Sequence, residues 1–120
     1  MPLVKKRLTI AAGATSEQVL SGTTYEYVNP NTRIVVAAQD ATSTYEAKTN
    51  LNFTVNNAEF SRDALVSEKV TGEAFGWNGT GYVMNDMVTT GAVRNRPIIQ
   101  FTNTGSNPAD IDVAVFIGSQ

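Results

Sequence analysis

Two side chains are missing altogether: among the 120 residues there is no cysteine and no histidine. Without cysteine there is no disulfide, no thiolate nucleophile and no Cys-ligated zinc. Its absence leaves the redox compartment open. Without histidine the chain lacks the commonest general base, the commonest transition-metal ligand and the usual pH switch. A Ser-His-Asp triad and an imidazole-ligated metal centre are both excluded. Long apolar runs are missing too. None approaches the roughly 20 residues of a membrane-spanning helix, and Leu8 to Ala12 is too short for the core of a secretory signal. The sequence therefore predicts a soluble, unprocessed chain with no membrane contact. Nor is there a basic excess: the net charge of −2 gives no global field to attract nucleic acid. Lys5, Lys6 and Arg7 hold three of the nine basic residues, which leaves six against eleven acidic ones in the rest of the chain.

What is present is the material of a globular body. A hydrophobic content of 42% against 17% charged residues separates the chain from disordered sequences, and its length suits one domain with a real core. The clearest pattern lies near the C-terminus, where Arg96–Thr104 and Asp110–Ile117 are apolar runs separated by Gly105-Ser106-Asn107-Pro108-Ala109. In the second run Ile111, Val113, Val115 and Ile117 alternate with Asp112, Ala114 and Phe116, the period of two that a pleated strand requires. The two runs read as an antiparallel hairpin that needs further strands to cover its apolar face.

Upstream segments supply them. Leu3–Ala12 reads as a strand with Leu3, Lys5, Arg7 and Thr9 on one side and Val4, Lys6, Leu8 and Ile10 on the other. Tyr25–Val28 reads as a strand before the Asn29-Pro30-Asn31 turn. Arg33–Ala38, β-branched at its centre, suits a strand buried on both faces. Leu51, Phe53 and Val55 alternate with polar residues up to Asn56-Asn57. Ala58–Val70 has partly helical spacing but no cap, and reads equally as an edge strand from Ala64. Four glycines between Thr71 and Gly81 mark a structured loop, and two short β-like pieces flank Asn85-Asp86. The expectation is an all-β, single-domain antiparallel β-sandwich or jelly roll of about seven to eight short strands. It spans residues 1–120 and begins with a basic strand or arm over residues 1–12.

The candidate binding residues are few. Lys5, Lys6 and Arg7 form the one charge cluster, although alternation sends Lys6 to the face opposite the other two. Trp77 with Phe75 and Tyr82, set among glycines, can make a stacking platform for a sugar or a partner surface, or can plug one end of the core. Arg94 and Arg96, flanking Asn95, can clamp a carboxylate on a neighbouring chain or form local ion pairs. Asp110 and Asp112 share a strand face, but no glycine-bearing calcium loop accompanies them, so they read as solvated edge charges. Asn52-Phe53-Thr54 and Asn78-Gly79-Thr80 match the glycosylation sequon, and the second is more simply a tight turn. No residue set marks a catalytic centre, a cofactor or a metal.

Taken together, the Cys- and His-free composition, the opening Leu3–Gly22, Tyr25-Glu26-Tyr27-Val28-Asn29-Pro30 and the ending Phe101–Gly105 with Asp110–Ile117 resemble the small β-rich virion proteins of tailed bacteriophages of marine bacteria and cyanobacteria. The resemblance implies a capsid decoration or cement protein, made in the host cytoplasm and resident on the capsid surface. Its partners would be the major capsid protein or other virion subunits, with copies forming a homo-oligomer or arrayed on a lattice, no direct contact with nucleic acid and no enzymatic activity. Lys5–Arg7, Phe75, Trp77, Tyr82, Arg94 and Arg96 are then the expected contact residues. The alternative is a carbohydrate-binding β-sandwich module serving host adhesion or the tail, with Trp77 and Tyr82 as its stacking surface.

Overall fold

The computed structural model describes residues 3–68, 83–91 and 94–119. These residues form seven strands: β1 (Leu3–Ile10), β2 (Thr32–Asp40), β3 (Thr49–Val55), β4 (Ala58–Leu65), β5 (Val83–Val88), β6 (Pro97–Asn103) and β7 (Ala109–Ser119). All strand pairings are antiparallel. One sheet has the order β1-β7-β2-β5 and the other β4-β3-β6, so the all-β expectation holds as a two-sheet sandwich.

The inner faces follow from the alternation in the sequence. Ile34, Val36 and Ala38 of β2, Ile111, Val113, Val115 and Ile117 of β7, and Leu8 and Ile10 of β1 belong to one core cluster. It also holds Leu51, Phe53 and Val55 of β3 and Ile99 and Phe101 of β6. Val19, Leu20 and Val28 enter it from the long connection between β1 and β2. Each large side chain fully removed from water contributes about 1.5–3 kcal/mol, and this shared burial holds the two sheets face to face. Val35, Ala37, Gln39, Ala114 and Phe116, at the intervening positions of β2 and β7, are buried as well. The reading of β2 as buried on both faces therefore stands.

Turn chemistry sets one register. Asn56 and Asn57 both adopt positive φ (52° and 67°), and Val55 pairs with Ala58, which makes a two-residue hairpin between β3 and β4. Asparagine tolerates the left-handed region that such a turn demands at both positions. The same residues settle the ambiguity at Ala58: the chain folds straight back as an edge strand and not as a helix.

Four expectations need correction. First, β6 and β7 are not a hairpin; β6 pairs with β3, while β7 lies between β1 and β2 in the other sheet. The connection Thr104–Pro108 arches from sheet to sheet. The Glu46 carboxylate secures it by accepting from the Ser106 amide and hydroxyl and the Asn107 amide (3.3, 3.0 and 2.8 Å). Buried Asn103 donates to the carbonyls of Ile10 and Asn107 (3.1 and 2.8 Å). Second, Tyr25–Val28 is a loop, whose β-type contact among the described residues is an isolated bridge between Val28 and Asn95. Thr23 donates its hydroxyl to Leu20 O and accepts from the Tyr25 amide, local bonds that compete with strand pairing. Third, Asn85-Asp86 lies inside β5. Asp86 accepts two bonds from Arg33 on β2, Asn85 donates to Phe60 O on β4, and the extra residue Met84 forms a bulge opposite Val36 and Ala37. Fourth, Asp110 and Asp112 are not edge charges, because β7 has a neighbour on each side.

Candidate interaction surfaces

The basic cluster lies on β1, an end strand of the four-stranded sheet. Arg7 stands opposite Asp112 of β7, and its guanidinium donates from Nε and Nη2 to both carboxylate oxygens, the second bond being 3.0 Å. Hydrogen bonding to Asp112, and then its charge, raise the Arg7 pKa above its ordinary value. Asp112 also accepts from the side chain of fully buried Gln39 (3.2 Å), and Thr9 donates to Asp110 (2.8 Å). A bidentate pair across the β1–β7 ladder gives register as well as energy. Arg7 is therefore an anchor of the edge strand and not a freely offered cation. Lys5 is exposed on the same face, and Lys6 is half-buried on the opposite one, as alternation requires.

The other flank of β1 has no strand beside it among the described residues. The second sheet manages its comparable edge differently. Segment Gly13–Val19 runs along β6, with bonds from Gly13 N to Asn103 O, Asn103 N to Ala14 O, Ser16 N to Phe101 O and Val19 N to Ile99 O (2.8–2.9 Å). An uncovered edge is a template for strand addition, and lysines on it resist indiscriminate pairing. Leu3, 38% exposed, leads onto this flank.

A second surface joins the β1–β2 connection to the segment before β6. Buried Asn95 exchanges backbone bonds with Val28 (both 2.8 Å), and its side-chain oxygen accepts from Asn56 (3.0 Å). With Asn95 fixed inward, Arg94 and Arg96 are both exposed on either side of it. They do not form one clamp with a described carboxylate: no ion pair is made by either among the described residues, and each serves a different neighbour. The Arg94 guanidinium lies over the Tyr27 ring, 4.2 Å from its centroid. The Arg96 amide donates to the side chain of Asn56 in the β3–β4 turn (2.8 Å). Thr23, Thr24, Glu26, Tyr27, Val28, Asn29 and Arg94 line an open cleft of about 370 Å³. By contrast the pit between Asp40, Glu46 and Asn103 leaves only about 10 Å³, at the lower limit for a single water. Its carboxylates are committed to backbone, Asp40 to the Thr42 amide and Glu46 to the β6–β7 arch.

Phe75, Trp77 and Tyr82 lie outside the described residues, and so does the Asn78-Gly79-Thr80 turn. What sequence reasoning missed is Tyr27, taken as one residue of a strand and not as a ring beneath Arg94. Its neighbours Thr24, Glu26 and Asn29 were a usable signal, since a polar, turn-rich segment carrying an aromatic residue makes a surface more readily than a strand. No family model, no curated protein and no solved structure matches this chain.

Proposed function

We propose that the protein is a non-enzymatic virion structural subunit, a decoration or cement protein that binds and stabilises the head shell of a tailed bacteriophage. The observation that carries this reading is the flank of β1 that no strand covers among the described residues, with exposed Lys5 and Leu3 on the strand and Arg7 and Asp112 anchoring it to the sheet. A strand held in this way is pre-organised to add to a neighbouring subunit's sheet, where main-chain bonds give affinity and flanking side chains give specificity. Repetition on a symmetric lattice multiplies modest single contacts. The carboxylates support a structural role: Asp40, Glu46, Asp86, Asp110 and Asp112 all accept hydrogen bonds that hold the fold together.

Removing residues 2–7 is not a clean test, because it deletes most of β1 and leaves Asp112 without Arg7. Point changes on exposed positions are better. The purified protein is expected to co-sediment with undecorated phage heads and to saturate at a fixed number of copies per capsid subunit. Leu3→Asp and Lys5→Glu should weaken this binding with no change in thermal stability. Unchanged binding by both variants would remove β1 from the interface. A second reading, a carbohydrate-binding module, is favoured by the cleft that Tyr27 and Arg94 help to line, built from elements other than β1.

A further inference from the structure

We infer that the cleft between the Thr23–Asn29 loop and Arg94 binds an acidic saccharide, with Arg94 taking the sugar carboxylate and the loop taking the hydroxyls. The inference rests on the carbohydrate reading and adds to it a site and a ligand class. Arg94 is the reason for the acidic ligand. Its guanidinium lies over the Tyr27 ring, 4.2 Å from the centroid, and its N–H donors make no hydrogen bond within the described residues. No carboxylate of the described residues pairs with it; Asp112 and Asp86 pair with Arg7 and Arg33. An arginine fork held over a ring, with no carboxylate partner among the described residues, can take a ligand carboxylate bidentately.

The rest of the lining suits a sugar ring. Tyr27 is 43% exposed and offers an aromatic body with a hydroxyl at its tip. Thr24 and Asn29 also line the cleft, and neither side chain makes a hydrogen bond within the described residues. Glu26 accepts from the Gly22 amide through one oxygen, and its other oxygen, without a partner among the described residues, can accept from a sugar hydroxyl. A cleft of about 370 Å³ falls at the lower end of the usual range for small-molecule sites and is wide enough for one or two rings.

The framework is already in place. Val28 is clamped to Asn95 by paired 2.8 Å bonds, and the Asn29 carbonyl accepts from the hydroxyls of Thr32 and Thr89 (both 2.7 Å). The Asn31 amide donates to Thr89 O (2.8 Å). Little ordering therefore remains for the ligand to impose, which favours binding.

The test is a titration of the full chain, followed by calorimetry and by amide and tyrosine NMR shifts. The probes are tetragalacturonate, its methyl ester and a Glu-rich peptide of equal charge. Tetragalacturonate should bind and shift Tyr27 and Arg94. Esterification or Arg94→Gln should each weaken binding about tenfold or more, the loss of one charge-assisted bidentate contact. Arg94→Lys should recover only part of it, and both variants should melt with the parent protein because the side chain is exposed. Equal binding of the ester, with shifts still at Tyr27, would overturn the acidic assignment while leaving a carbohydrate site. Equal binding of the peptide would overturn the saccharide assignment. No shift at Tyr27 or Arg94 with any sugar would remove both the inference and the carbohydrate reading.

Discussion

Replacing Phe53 by alanine tests whether the two sheets are held together as described. Phe53 is fully buried at the centre of β3, the middle strand of its sheet, and it shares the core with Phe101, Ile111 and Val113. Its ring also meets Phe60 on β4, with centroids 6.1 Å apart and planes inclined by 41°. Truncation removes the transfer free energy of the ring and leaves a cavity that the flanking strands cannot close, about 3–5 kcal/mol in sum. The lost ring pair accounts for roughly 0.5–1 kcal/mol of that. A domain of this size has a total stability of about 5–15 kcal/mol, so the variant should remain folded with its melting temperature lowered by roughly 10–20 °C. Phe60→Ala is the matched control: it removes the same ring pair from a side chain already 44% exposed, and it should cost about 1 kcal/mol. Urea unfolding followed by circular dichroism measures both. Equal effects of the two truncations, or a cost at Phe53 below about 1 kcal/mol, would refute the placement of that ring between the sheets.

Two further outcomes follow from the anchors. Asp112→Ala removes the partner of Arg7 and strips a hydrogen-bond acceptor from fully buried Gln39, so unfolding titrations should show a loss of about 2–3 kcal/mol. A double-mutant cycle with Arg7→Ala should return a coupling of about 1 kcal/mol, and none would mean that the pair does not hold β1. The Glu46 carboxyl is held below its ordinary value, chiefly by the Ser106 hydroxyl and then by the Ser106 and Asn107 amides. A depressed carboxyl contributes stability that is complete above the pH where a free glutamate titrates and is lost as pH falls through the folded value. Acid unfolding should therefore steepen below that pH, and Glu46→Gln should flatten this limb; an unchanged acid limb would show that the arch does not depend on the charge.

The strand set was legible because it follows from local rules. Leu51, Phe53 and Val55 announced a half-buried strand, the apolar Ile34–Ala38 run a doubly buried one, and Asn56-Asn57 its turn. What stayed hidden was partnership. A period of two says that one face of β7 is buried, but it says nothing about which strand lies beside it, and a turn-rich loop serves an arch between sheets as well as a hairpin. The same limit applied to the site. Arg7 looked free because Asp112 stands 105 positions away, and only the β1–β7 register brings the two together. Arg94 was singled out by its spacing with Arg96 about Asn95, while Tyr27 was not, because Tyr25–Val28 alternates like a strand even though local hydroxyl bonds hold it as a loop.

Hydrogen exchange on β1, free and bound, decides whether this strand docks on the shell. With the protein assembled on undecorated heads, the outward amides of Leu3–Thr9 should gain protection, while those of β4, the edge of the other sheet, should exchange as in the free protein. Stable attachment to the heads with no added protection at β1, or no attachment at all, would contradict docking through this strand.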